Sequence, residues 1–304
     1  MTRKAIPLVV LIALLLGMGS CKKTQPPVAN PVTPLQSLIN TDTTLSLFHR
    51  MLLVANEAGL LADNSVTLLI PTNTAFRAAG YTETIIDSLA PSVADRLISY
   101  HFITQAALPD SNGYKPYPTH LGFSIYGEKD LNKQIWFNGT PITGDTSMVG
   151  KALVYRLSAI LLSPRDSLSL TLGQDSTLTF SAELFRRTGL DTTLTPGNFT
   201  VLAPTNTAWV TAGIDSVGQI DSADLNTMIS LAKLHVLSGA YFTNLLTGLN
   251  NVITLQGSSL SVSSSGGALQ FKGGGNTVPA NVVTANQPAG NTFVIHKIDE
   301  VLSP

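Results

Sequence analysis

Cysteine is almost missing from this chain: Cys21 is the one thiol in 304 residues. No intrachain disulfide can form, so the fold must rest on apolar cores. Charge is also scarce. Charged residues make up 12% of the chain and the net charge is −1. No basic patch or stripe is visible, which excludes a nucleic-acid binder of the usual electrostatic kind. The N-terminal apolar run, Leu8 to Leu16, is shorter than the roughly 20 residues that span a bilayer. Catalytic signatures are missing too: there is no Gly-x-Ser-x-Gly elbow and no Gly-x-x-x-x-Gly-Lys phosphate loop. The five histidines, His49, His101, His120, His235 and His296, form no i, i+4 pair, and no thiol of the mature body is available to complete a metal set. Asp221 with Asp224, and Asp299 with Glu300, fall at helix starts or the chain end, where caps explain them better than acid–base work. No enzyme activity, metal or cofactor is therefore expected.

What is present begins at the N-terminus. Arg3 and Lys4 precede the apolar run, and Met18-Gly19-Ser20 lead with small residues into Cys21. These are the proportions of a secretory signal peptide, residues 1–20. The Gly-Ser-Cys ending resembles the bacterial lipobox, which implies acylation of Cys21 and a stable lipid anchor. Residues 21–34 hold Pro26, Pro27, Pro31 and Pro34 without hydrophobic period, and read as an extended tether. Lys22 is not the aspartate of inner-membrane retention, so an outer-membrane destination is expected, with the periplasmic and surface faces both open.

The body is organised around a stretch that occurs twice. Thr67-Leu68-Leu69-Ile70-Pro71-Thr72-Asn73-Thr74-Ala75-Phe76 returns 133 positions later as Thr200-Val201-Leu202-Ala203-Pro204-Thr205-Asn206-Thr207-Ala208-Trp209. Seven of the ten residues are identical and the other three are apolar replacements. Each copy predicts a short buried strand, ended by a proline that gives the ladder no N–H, then a helix capped by the threonine or asparagine. The aromatic, Phe76 or Trp209, is expected to pack the first helical turn back on the strand. Asp42-Thr43-Thr44-Leu45 and Asp175-Ser176-Thr177-Leu178 repeat at the same offset. The first predicts a capped helix through Phe48 and Leu52 that closes at Gly59; the second predicts a helix ending near Gly189. Strands with turn residues follow in both halves, with Asn138-Gly139 a hairpin signal and Gly266-Gly267 and Gly273-Gly274-Gly275 read as turns. Leu-Ser-Pro ends each block, at 162–164 and 302–304. Two tandem α+β domains, residues 35–164 and 165–304, are the simplest account.

Three stations in each half resemble the fasciclin-type (FAS1) domain. They are the Pro71-Thr72-Asn73 to Phe76 and Pro204-Thr205-Asn206 to Trp209 corners, the Tyr100-His101 and Leu234-His235 pairs, and the closing segment Val294-Ile295-His296-Lys297-Ile298. The first half departs with Tyr155-Arg156-Leu157-Ser158 where the family has Ile-His-x-Ile, and the second with Leu234 in place of tyrosine. The resemblance implies two wedge-shaped β-sandwiches flanked by helices. It implies a non-enzymatic envelope lipoprotein that mediates adhesion, or binds an extracellular protein or glycan, with no assigned binding residues. A periplasmic structural or assembly factor of an outer-membrane complex is the alternative. His101 and His235 are expected to be partly buried and bonded to backbone. The triplets at Asp87-Ser88, Asp166-Ser167, Asp191-Thr192, Asp215-Ser216 and Asp221-Ser222 resemble O-glycosylation acceptors, although caps and turns use the same residues.

Overall fold

The computed structural model describes residues 32–62, 65–164, 167–194, 198–290 and 293–304. The leader, Cys21 and most of the tether lie outside them. Residues Thr33–Pro304 form one compact unit of mixed helices and strands.

The first half opens with helices α1 (Pro34–Thr41) and α2 (Ser46–Ala55). Strand β1 (Thr67–Pro71), helices α3 (Asn73–Ala78), α4 (Glu83–Ser88) and α5 (Pro91–Tyr100), and strand β2 (Phe102–Ile103) follow. Six further strands complete it: β3 (Lys115–Pro118), β4 (Ser124–Lys129), β5 (Ile135–Phe137), β6 (Thr140–Pro141), β7 (Ser147–Val149) and β8 (Ala152–Leu157). The second half starts with α6 (Leu168–Gly173), α7 (Thr179–Thr188) and α8 (Leu190–Thr193), then β9 (Phe199–Pro204). Helices α9 (Asn206–Thr211), α10 (Val217–Ser222) and α11 (Leu225–Leu234) lead to β10 (Val236–Ser238) and α12 (Thr243–Leu246). Strands β11 (Asn251–Ile253), β12 (Ser259–Ser265), β13 (Ala268–Lys272), β14 (Ala280–Ala289) and β15 (Phe293–Ile298) close the chain.

Every strand pairing among the described residues stays within one half. The second half forms a single seven-stranded sheet, β10-β9-β15-β14-β13-β12-β11, and an isolated bridge between Leu237 and Thr254 joins its two ends. The first half carries the same order in two pieces, β2-β1-β8-β7 and β3-β4-β5-β6. Bridges from Ile103 to Thr119 and from Ile142 to Leu157 link those pieces. The long strand β14, bulged where its register shifts near Thr284, serves both β13 and β15. In the first half its place is divided between β6 and β7. One architecture therefore occurs twice.

The repeated strand explains its own composition. β1 and β9 lie parallel to the closing strands β8 and β15 and antiparallel to β2 and β10. Leu68 and Ile70 enter a core beneath the helices, whereas Leu69 enters the core enclosed by the strands. Val201 and Ala203 divide from Leu202 in the same way. A strand buried on both faces shows a continuous apolar run in place of alternation.

Two expectations need correction. Helix α2 ends at Asn56, in the left-handed region with φ 59°, and Gly59 sits inside a following 3₁₀ turn, Ala58–Ala62. Asparagine tolerates that conformation because its short side chain bonds locally. The shared Leu-Ser-Pro is also one residue out of structural register. Backbone bonds described below pair Leu161, and not Leu162, with Leu302. Of the glycine turns, Gly266 and Gly267 have positive φ in the β12–β13 hairpin. Gly273 serves close approach instead, since a Cβ there would stand 1.9 Å from the Ser303 carbonyl oxygen.

Candidate functional site

At each corner the threonine takes the cap and the asparagine reaches across the fold. The Thr72 and Thr205 side chains accept from the backbone N–H groups of Ala75 and Ala208. The Asn73 carboxamide oxygen accepts from the Leu47 N–H at 2.9 Å, and its amide donates to the Thr43 carbonyl at 2.9 Å. Asn206 repeats this on the Phe180 N–H and the Ser176 carbonyl. The asparagine thus ties the corner to the start of the preceding helix and satisfies donors that helix leaves open. Phe76 and Trp209 are fully buried beneath it.

The buried histidines bond to backbone. His101 Nδ1 donates to the Leu97 carbonyl at 2.8 Å, and its bare Nε2 accepts from the Leu161 N–H at 3.1 Å. His235 does the same with the Leu231 carbonyl and the Leu302 N–H, at 2.9 and 3.0 Å. Each imidazole therefore latches the tail of its own half to the helix before it. His296 donates through Nε2 to the Tyr241 carbonyl at 2.8 Å, and its Nδ1 is buried without a partner. Burial holds all three imidazoles down to about 4. His49 is half-buried and His120 is exposed. No group of three or more metal-ligating side chains occurs among the described residues.

Strand register aligns Tyr155 with His296 and Arg156 with Lys297, because Leu69 pairs with Tyr155 and Leu202 with His296. The Tyr155 hydroxyl donates to the Ala107 carbonyl at 2.9 Å, as His296 does to Tyr241. Arg156 meets Asp42 at 2.5 Å, and Lys297 meets Asp175 at 2.5 Å. Tyr155 and Arg156 thus make bonds of the same kind as His296 and Lys297. The bond from the Thr44 hydroxyl, then that from Arg156, hold Asp42 down to about 2. Burial pushes Asp175 up, but Lys297 and Thr177 outweigh it and leave that carboxyl lowered.

A joint between the halves had no sequence signal. The Tyr114 ring lies 4.5 Å from that of Phe242, and its hydroxyl donates to the Asn244 side chain at 2.7 Å. Asn244 donates in turn to Glu128, a buried carboxyl that desolvation pushes up. The Tyr126 hydroxyl donates to Asn198 at 2.8 Å. Tyr100 enters here: its hydroxyl accepts from Asn138 and donates to the Ser124 carbonyl, which braces the turn carrying Gly139. Gly139, at φ +73°, lies so close to the second half that a Cβ would stand 2.5 Å from the Asn286 amide nitrogen. Gly139→Ala is therefore expected to cost about 1–3 kcal/mol from overpacking and positive-φ strain. Urea unfolding checks the loss, and solution scattering checks whether the halves separate. Leu234, in place of a second tyrosine, is part of an apolar core.

Several Ser and Thr residues of the acidic triplets act locally. Ser88 and Ser222 donate to the Ile85 and Gln219 carbonyls, and Ser167 caps α6.

Residues 176–304 match the profile of the Fasciclin domain. The second half carries a Fasciclin domain. The pig transforming growth factor-beta-induced protein ig-h3 is 24% identical over 251 residues, which cover 79% of this chain and 35% of that protein. Immunogenic protein MPB70 of Mycobacterium bovis is 30% identical over 128 residues, 42% of this chain and 61% of that protein. The chain thus spans about a third and about three fifths of those relatives. A FAS1 domain pair from the insect cell adhesion molecule Fasciclin I aligns at 17% identity with a TM-score of 0.43, covering 86% of this chain and 97% of that one. No helix among the described residues is long and apolar enough to cross a membrane.

Proposed function

We propose that this fasciclin-domain protein is a non-enzymatic lipoprotein of a bacterial cell envelope, anchored through Cys21 in the outer membrane. It presents its paired folds for adhesion, by binding a protein or glycan partner. The observation that carries this reading is where the repeated motif residues direct their bonds. The corner threonines and asparagines and the two tail-latching histidines all bond inward, to cap, tie and latch the fold. Residues so used build a stable shape and carry no chemistry, and a stable shape on a tether suits recognition. The tyrosine joint then fixes one half against the other, so a partner meets a single preformed surface.

Deletion of the gene is expected to reduce cell attachment to surfaces and to other cells. Cys21→Ser should abolish labelling by an alkyne-tagged palmitate and release the protein from membranes. Normal attachment of the deletion strain, with no envelope or matrix component captured by the purified protein, would overturn the adhesive role. Protease treatment of intact cells separates a surface-exposed protein from a periplasmic assembly factor, which would be protected.

A further inference from the structure

A cleft of about 690 Å³ opens where the two halves meet, away from the tyrosine joint. Its apolar lining comes from both halves: Leu97 and Leu161 from the first, Leu172, Leu178 and Ile295 from the second. The volume and the apolar lining are those of small-molecule sites, in which a few polar groups fix the occupant. Two charged residues line it, and both are engaged by the protein itself. Arg96 donates to the Pro164 carbonyl and lies 5.6 Å from the centre of the Phe123 ring. Asp175 is held by Lys297 and by the Thr177 hydroxyl. The polar groups left over are neutral. The Tyr81, Ser92 and Ser163 hydroxyls and the Gln287 amide line the cleft, and none has a hydrogen-bond partner among the described residues.

We propose that this cleft binds a short, uncharged oligosaccharide, which deepens the adhesive reading and rests on it. A sugar ring offers what the lining asks for: C–H faces for the leucines and the Tyr81 ring, and hydroxyls that both donate and accept. A cationic ligand would find no free carboxylate, because Asp175 is paired with Lys297; the Arg96 guanidinium, bonded to the Pro164 carbonyl and beside the Phe123 ring, is the one other charge of the lining. An extended peptide adding as a strand needs an open sheet edge; β15 at the cleft wall is paired on both sides, and β14 there carries Pro288, which has no N–H to offer a further strand. Since neither half supplies both walls, the site exists only in the assembled pair.

The test is titration of the full chain, methyl-labelled at Leu and Ile, with cellotetraose, chitotetraose and maltotetraose at millimolar concentration. Saturable shifts of the Leu161, Leu172 and Ile295 methyl signals are expected with at least one of them. Tyr81→Phe and Gln287→Ala should each weaken that binding about tenfold, since each removes a hydrogen bond to the ligand. The site is refuted if none of the three sugars moves these signals, if laurate saturates them and the sugars do not, or if binding survives both substitutions unchanged. Cells carrying both substitutions separate this claim from the wider one. If they attach normally while the deletion strain does not, the cleft is wrong and adhesion stands. If the deletion strain itself attaches normally, adhesion is wrong, and the titration still decides the cleft.

Discussion

Acidification from pH 7 to pH 4 is expected to unfold this protein. His101, His235 and His296 are fully buried and neutral, each with its folded value near 4 against an ordinary 6.5, because burial disfavours the imidazolium. The sign follows from linkage. Below pH 6.5 the unfolded chain takes up three protons that the folded chain refuses until about pH 4. Stability is thus complete above 6.5 and lost as pH falls toward 4. Each histidine contributes on the order of 3 kcal/mol across that window, against a typical total of about 5–15 kcal/mol. Urea titrations followed by circular dichroism at a series of pH values measure the slope. A flat stability between pH 7 and 4.5 would remove the argument. His296→Tyr borrows the first half's solution, since Tyr155 makes the equivalent bond to Ala107 with no titratable imidazole. It should lower the proton uptake on unfolding from three to two, provided the ring is accommodated, which the neutral-pH stability of the same variant reports. Asp42, held near 2, adds a further loss at still lower pH.

The second large effect concerns a volume trade beneath the corner. In the first half Phe48 and Phe76 meet edge-on, 6.5 Å apart at 70°. The positions 133 residues later hold Ser181 and Trp209, where the indole N–H donates to the serine hydroxyl at 3.1 Å. That hydroxyl passes its own proton to the Pro204 carbonyl at 2.7 Å. A large pair has become a small residue beside a larger one, joined by a hydrogen bond. Trp209→Phe alone should leave a void and cost about 2 kcal/mol. Ser181→Phe alone should overpack the site and cost about 1–3 kcal/mol. The double variant reproduces the first half's pair, and its cost should fall short of the sum by at least about 1 kcal/mol. Urea midpoints for the four proteins give the coupling directly. Additive losses would mean that the two positions do not share one space.

Much of the fold was legible in the residues themselves because its signals are local. The caps at Thr72 and Thr205, the strand-ending prolines and the hairpin at Asn138-Gly139 each depend on neighbours a few positions away. Repetition supplied the rest, since an identical stretch at a fixed offset demands two similar surroundings. Local signals failed where two conformations compete. Asn56 closes α2 although Gly59 is the commoner choice, and Asn56 gave no cue beyond its type. Thr67 and Thr200 read locally as strand starts, yet each is a buried bracket: the Thr67 hydroxyl donates to Gln105 and accepts from Ala107, and Thr200 does likewise with Gly239 and Tyr241. Their identity in both copies was the available signal.

By itself the sequence determined that one α+β unit is built twice around a capped strand-to-helix corner, and it pointed to backbone-bonded roles for His101 and His235. These follow from short-range sterics and from apolar period, which any segment carries with it. Only the tertiary structure decided that Tyr155 stands in for His296, that Tyr114, Glu128 and Asn244 join the halves, and that Tyr81 and Gln287 face a common cleft. Those pairings bring together residues scores of positions apart. Strand register and the docking of one half on the other choose them, and neither leaves a mark on the residues nearby.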